Sequence, residues 1–260
     1  MPKITAIIIA KNEEKKIDKC LENLKWCNQR IVIDDFSQDD TVKIARSRGA
    51  KVFERALDQD FSSQRNFGLE KAKNDWVLFV DADEIVTPSL SKDIVRRVKK
   101  TGYTGFYIPR KEFFGGKVLN CADKPSWDWS PGPIKLLRLG KKNSGKWEGK
   151  VHEVWKIKGE VGELTKPLHH LSFETITDAL KKIDFYSSIK AKQDYETGLR
   201  SSTKEIIFYP AAKLIKNFFW HLGFLDGTAG LIFCLLMSLQ SFLSKAKLRL
   251  LQKESLREDK

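Results

Sequence analysis

The sequence predicts an α/β protein with a mostly parallel central sheet, followed by a helical C-terminal region. Three observations predict it. The first ninety residues alternate β-branched apolar runs with segments of helical period, the order that produces right-handed crossovers and parallel strands. The runs are almost continuously apolar, as strands covered on both faces require. From Thr175 onward, helical signals dominate.

Ile4 to Ala10 is the first strand. It is too short for the core of a signal peptide and runs directly into Lys11-Asn12-Glu13-Glu14. Asn12 is expected to cap a helix that places Ile17, Leu21 and Leu24 on one face. Arg30 to Asp35 is the second strand. Thr41 to Arg48 is a helix, with Asp39 and Asp40 at its start and Gly49 just past its end. Lys51 to Arg55 is a third strand, Ser62 to Lys73 a helix, and Trp76 to Val80 a fourth strand. Thr87 and Pro88 open a helix that reaches Lys100. From Gly102 to Leu168 the texture changes, and Phe106 to Arg110, Ile134 to Leu139 and Val151 to Ile157 read as strands. The expected division is one domain over 1–170, with halves 1–100 and 101–170, and a helical region over 171–260.

With 260 residues and 41% hydrophobic content, the chain can bury one large core or a core plus an appendage. The net charge of +13 is uneven. Residues 1–90 hold 15 Lys/Arg against 16 Asp/Glu, 91–170 hold 18 against 8, and 171–260 hold 14 against 10. The positive excess after the first third favours an anionic partner. Nucleic acid is not the expected one: helix-turn-helix, zinc-finger and RNP signatures are missing, and acidic strand ends repel phosphate unless a metal intervenes. Cysteines 20, 27, 121 and 234 form no CxxC pair. That argues against a zinc site or disulfide framework and fits a reducing cytoplasm.

Ligands of parallel α/β sheets bind beyond the carboxyl ends of the strands. Three motifs fall there: Ala10-Lys11-Asn12-Glu13-Glu14, Asp34-Asp35-Phe36-Ser37 and Asp81-Ala82-Asp83-Glu84. In the third, two carboxylates spaced one residue apart follow an apolar strand. They can share Mg²⁺ or Mn²⁺, hard ions that take oxygen ligands and leave positions open for substrate phosphates. An isolated D-x-D also occurs as a solvated acidic turn, but here two other acidic strand ends are expected beside it.

IIIAKNEE at 7–14, IDDFSQDDT at 33–41, QRNFGLEKA at 64–72 and WVLFVDADE at 76–84 resemble family 2 glycosyltransferases of the GT-A fold, in order and spacing. WDWSPGPIKLLR at 127–138, WEGKVHE at 147–153 and FLDGTAGLIF at 224–233 are similar to a subgroup of bacterial lipopolysaccharide-core and related glycan glucosyltransferases. The resemblance implies a nucleotide-sugar-binding half at 1–100 and an acceptor-side half at 101–170. It implies a nucleotide-sugar donor, a UDP-hexose by expectation, and a divalent metal, Mn or Mg. Asp35 or its neighbour Asp34 would contact uracil or ribose, with Asn12 and Glu13 in the same nucleotide-sugar set. Asp81 would contact ribose or metal, Asp83 would be the main metal ligand, and Arg65 would lie near the nucleotide. Phe36 stands where the family often has glycine, which makes that loop less permissive. An inverting transfer needs a base for the acceptor hydroxyl, and Glu153 and Asp128 are the candidates. His152 is a further metal or phosphate contact. His169-His170 reads as structural. Trp127, Trp129, Trp147 and Trp155 could line an acceptor groove or pack in the core.

The rival readings are a nucleic-acid-binding protein, a catalytically inactive nucleotide-sugar-binding adaptor and a nucleotidyltransferase. The last usually carries a Gly-rich phosphate loop after its first strand, where this chain has KNEE. The resemblance points to cell-envelope polysaccharide or lipopolysaccharide-core synthesis, with a glycan or lipid-linked acceptor and a peripheral position on the cytoplasmic face of a membrane. The apolar run from Ala229 to Leu239 is shorter than the roughly 20 residues of a spanning helix. Phe218, Phe219 and Trp220 precede it. Lys213 and Lys216 before, and Lys245, Lys247 and Arg249 after, suit an anionic surface. The region is therefore expected to bind a membrane without crossing it.

Overall fold

The computed structural model describes residues 2–58, 60–99, 102–123, 134–150, 153–173 and 175–258. The chain divides into two compact units, Met1–Arg110 with Ile134–Leu171, and Lys111–Pro133 with Ser172–Lys260.

In the first unit, β1 (Ile4–Ala10), α1 (Glu14–Glu22), β2 (Gln29–Asp34), α2 (Thr41–Ser47), β3 (Lys51–Glu54), α3 (Phe61–Lys71) and β4 (Trp76–Asp81) alternate as the sequence predicts. Then follow β5 (Glu84–Ile85), α4 (Pro88–Lys99), β6 (Gly105–Phe114), β7 (Lys117–Leu119), β8 (Lys135–Lys141), β9 (Gly145–Glu148), β10 (Val154–Ile157), β11 (Val161–Glu163) and β12 (Leu168–Phe173), of which β7 and the ends of β6 from Lys111 and of β12 from Ser172 belong to the second unit. The sheet order is β3-β2-β1-β4-β8-β6-β12-β5. β3, β2, β1 and β4 are parallel, whereas β8 joins antiparallel to β4 and β6 antiparallel to β8. The chain leaves β1 toward β2 on one side and returns to β4 on the other. In open α/β sheets ligands bind at such a reversal, here the carboxyl ends of β1 and β4.

Residue alternation explains the apolar runs. Ile4, Ala6, Ile8 and Ala10 enter one core with Val32, Leu78, Val80 and the buried side of α1. Ile7, Ile31, Ile33, Val77 and Phe79 enter another core on the opposite face. Both faces are covered, so successive residues are all apolar. Trp147 and Trp155 belong to the second core, stacked with ring centroids 5.6 Å apart and each edge-on to Phe79. They are packing residues and not an acceptor groove; Trp127 and Trp129 lie outside the described residues. Gly68 of α3 sits so close to β1 that an added Cβ would meet Ile7 Cγ2 at 2.6 Å.

The expected cap at Asn12 is not formed. Asn12 has left-handed backbone (φ 52°), and Glu13, which occupies the N-cap position, makes no side-chain capping hydrogen bond. Asn12 Oδ1 instead accepts the Gln38 N–H at 2.8 Å. Tying two ligand-side loops together outweighs the local capping preference.

The second unit holds α5 (Ile176–Glu196), α6 (Thr203–Ile215) and α7 (Gly227–Glu258), with a π-helical turn at Lys216–Trp220 and a 3₁₀ turn at Gly223–Asp226. Thr175 caps α5 by accepting the Asp178 N–H, and Ser202 and Glu205 form a reciprocal capping box on α6. Leu119, Ala179, Ile183, Phe233, Cys234 and Leu236 contribute to its core. The helix at 223–254 is long and apolar enough to cross a membrane, by length and composition only. The apolar run counted from sequence stopped at Leu239, but no charged residue occurs from Gly227 to Ser244.

Candidate active site

The carboxyl ends of the parallel strands lie side by side in register: Ala10 pairs with Asp34, and Ile9 with Asp81. All three expected motifs therefore converge on one edge.

At the end of β2, Asp34 is fully buried and accepts the Ser37 N–H at 2.7 Å and the Ser37 hydroxyl at 2.6 Å. Asp34 thus holds the turn. Asp35 accepts the Leu57 N–H at 2.9 Å through one oxygen and pairs with Lys11 Nζ at 2.7 Å through the other. Between the two candidates left open by the sequence, Asp35 keeps the more adaptable oxygen, because the Lys11 side chain is 57% exposed. Phe36 takes the glycine-like conformation itself, with φ 51° and an exposed ring. The first motif closes on the second: Asn12 N–H donates to Ser37 Oγ at 2.9 Å and Glu13 N–H to Thr41 Oγ1 at 2.8 Å.

The Gln64-Arg65-Asn66 segment of α3 is a connector. Gln64 Nε2 donates to the Arg55 carbonyl at 2.6 Å, beyond β3. Asn66 exchanges two hydrogen bonds with the Trp147 backbone, both 2.9 Å, fixing β9 against α3. Arg65, buried between them, donates through Nη2 to Asp81 Oδ1 at 2.9 Å and through Nε to Glu153 Oε1 at 2.8 Å. Its guanidinium lies over the Trp147 ring at 4.8 Å. Its Nη1 is buried with no hydrogen-bond partner among the described residues.

Asp81 has a second cationic partner that sequence reasoning missed. Arg138, on β8, donates through Nη2 to Asp81 Oδ2 at 2.7 Å. It approaches Glu84 Oε1 at 3.9 Å. Burial raises the Asp81 carboxyl, but Arg138 and Arg65 outweigh it and hold the group well below the ordinary carboxylate range. Burial pushes the Glu84 carboxyl up. Glu84 Oε2 accepts the Asp81 N–H at 2.9 Å, closing the D-A-D-E turn.

Asp83 is mostly buried, and its Oδ1 lies 3.4 Å from His170 Nε2. β12 brings the histidine there by pairing antiparallel with β5, His170 opposite Glu84. The histidine pair read as structural thus places one ring at the expected metal ligand. Arg65 and Arg138 engage Asp81, Glu153 and Glu84, while Asp83 stands beside His170; a carboxylate at such a strand end is the oxygen donor that a hard divalent cation takes. Asp83 and His170 form a carboxylate–imidazole contact, and both an oxygen and an imidazole nitrogen are atoms that can ligate a metal. Asp81, the other expected ligand, is instead engaged by arginines. No group of three His, Cys, Asp or Glu suited to a metal occurs among the described residues. His152 and Asp128 lie outside those residues.

The profile of Glycosyl transferase family 2 matches residues 5–148, which include β1 to β9 and every strand-end motif above. The chain belongs to that family. The glycosyltransferase is 26% identical to the lipopolysaccharide core biosynthesis glycosyltransferase LpsC of Rhizobium meliloti, over 94% of this chain and 91% of that protein. It is 28% identical to an uncharacterized glycosyltransferase of Rickettsia typhi, RT0209, over 98% and 89%. Among solved structures it is similar to S. aureus TarS 1–349 in complex with UDP, with a TM-score of 0.51, 16% identity and coverage of 99% of this chain and 92% of that one. That likeness shows the GT-A fold of the enzyme.

Proposed function

We propose that this glycosyltransferase moves a hexose from a UDP-sugar, with inversion, to a glycan or lipid-linked acceptor of the cell envelope, working at the cytoplasmic surface of a membrane. The observation that carries the reading is Arg65, whose buried guanidinium joins the D-A-D carboxylate Asp81 to Glu153 and whose Nη1 has no hydrogen-bond partner among the described residues. A buried donor without a partner costs about 1–3 kcal/mol, and a diphosphate oxygen beside the strand ends would satisfy it. The naming of LpsC as a lipopolysaccharide core enzyme supports the acceptor class, and the UDP in the TarS structure supports the donor nucleotide.

Asp35, with Lys11, would meet the nucleoside at the end of β2. Asp83 and His170 would hold Mg²⁺ or Mn²⁺, whose chemistry is neutralising charge on a diphosphate leaving group. Glu153 would take the acceptor proton through the oxygen not engaged by Arg65, which fixes its orientation. Asp128 is the other candidate base. The test is nucleoside diphosphate release across a panel of nucleotide sugars with Mn²⁺ or Mg²⁺. A UDP-hexose should be hydrolysed slowly even without acceptor. Turnover of GDP- or dTDP-sugars with UDP-sugars left intact would reject the donor assignment.

A further inference from the structure

α6 is built inside out. None of its residues is buried, although Ile206, Ile207, Phe208, Tyr209, Ala211, Ala212, Leu214 and Ile215 make it strongly apolar. Its inner side rests on α7, where Ser238 Oγ donates to the Pro210 carbonyl at 2.8 Å. Its outer side carries Phe208 (67% exposed), Ile215 (59%) and, one turn further, Phe219 (62%). These positions, with Ala211 and Ala212 between them, follow the i, i+3/i+4, i+7, i+11 spacing of a single helical face. The stripe continues through Trp220, Phe224 and Leu225, all exposed. A helix apolar on both faces is stable only where a second apolar medium covers the outer one.

Charge identifies the medium. Lys204, Lys213 and Lys216 flank the stripe. Partial desolvation lowers the Lys213 pKa, and the charge of Lys216 adds to the shift. Two neighbouring ammonium groups at the edge of an apolar face, with Trp and Phe beyond them, match the headgroup layer of an anionic leaflet. Only 22% of the most apolar part of the helix at 223–254 is buried, so the uncovered apolar surface extends beyond α6.

We infer that the outward face of α6 and the turns after it, residues 203–226, insert into one leaflet of an anionic bilayer and hold the enzyme there as a monotopic anchor. The inference rests on the proposed membrane-surface location and specifies the segment and the lipid charge. Bilayer depth suits it, because an interfacial helix sinks its apolar face by about 5–10 Å without crossing.

The full-length chain is sedimented with phosphatidylcholine vesicles containing about one third phosphatidylglycerol, alongside the double variant Phe208→Glu, Phe219→Glu. Wild type should bind, bind less to pure phosphatidylcholine, and weaken at high salt. The double variant should lose at least about tenfold in partitioning, with circular dichroism and UDP release from soluble donor unchanged. Brominated lipids should quench wild-type tryptophan emission more than that of Trp220→Phe. Equal vesicle binding by wild type and the double variant would overturn the inference, as would carbonate-resistant membrane insertion of the full chain. Failure to bind vesicles, with a dimer in sedimentation that the same substitutions dissociate, would assign the face to a second copy. UDP release is read without lipid, so its failure alongside intact vesicle binding would reject only the catalytic reading.

Discussion

The two units use apolar residues in opposite ways. In the first, period-two strands send alternate side chains into two cores, and Ile7, Ile8, Ile31, Ile33 and Leu78 are fully buried. In the second, the large exposed hydrophobics accumulate: among the described residues, only Phe36, Tyr103, Tyr107 and Val154 of that set belong to the first unit. The contrast in buried charge runs the other way. The first unit buries Asp34, Asp35, Arg65, Asp83, Glu84, Asp93 and Arg138, whereas among the described residues the carboxylates and guanidiniums buried in the second are Glu112 and Asp194. Burying charge is costly unless it is paired, so the first unit is organised around a site and the second around a surface.

The largest expected effect tests the site. Asp83→Ala should lower kcat by on the order of a thousandfold or more, since several kcal/mol of charge stabilisation on a leaving diphosphate are lost. Thermal melting should change little, and near-normal turnover at saturating donor would remove Asp83 from the metal role. Arg138→Met probes the buried pairing. It leaves the Asp81 carboxylate beside Glu84 with Arg65 as its one remaining guanidinium and should destabilise the fold by about 1–3 kcal/mol, read by urea denaturation. A loss below about 1 kcal/mol would mean that water already reaches the pair.

Glu153→Gln keeps shape and removes proton acceptance. Turnover should fall by about a hundredfold or more with donor Kd nearly unchanged. If Asp128→Asn is crippled and Glu153→Gln is not, Asp128 is the base. Gly68→Ala tests the packing of the first unit, where the new Cβ would meet Ile7 at 2.6 Å. A cost of about 1–3 kcal/mol is expected.

The smallest effect belongs to the second unit. Burial would raise the Asp226 pKa, but donors on Cys121 N and Asn120 Nδ2 outweigh it and hold the group below its ordinary 3.8. Because the folded value is the lower one, this stability is present above the unfolded pKa and is lost as pH falls through the folded value. Asp226→Asn should therefore cost about 1 kcal/mol at neutral pH and nothing at low pH, measured by denaturation at both.

The strands and the D-A-D turn were legible because both are local. Apolar runs report two covered faces, and Asp81 to Glu84 follow directly on β4. Arg138 and His170 were not legible. They arrive through antiparallel pairing of β8 with β4 and of β12 with β5, across large sequence separations, and nothing around them marks a partner. Asn12 was misread because its nearest helix suggested a cap while Gln38, 26 residues away, took the bond. The anchor face was only half visible: the sequence shows which residues of α6 are apolar, but not that the outer ones remain uncovered.

The clamp on Asp81 has a consequence for the life of the enzyme before it meets any ligand. A cluster of carboxylates at a strand end would ordinarily repel itself and oppose folding. Here Arg65 and Arg138 act as resident counter-ions, so the newly made chain can close its sheet without waiting for an ion from solution. Chelator should then silence the enzyme without melting it, and restoring the ion should return activity at the speed of binding, with no refolding step.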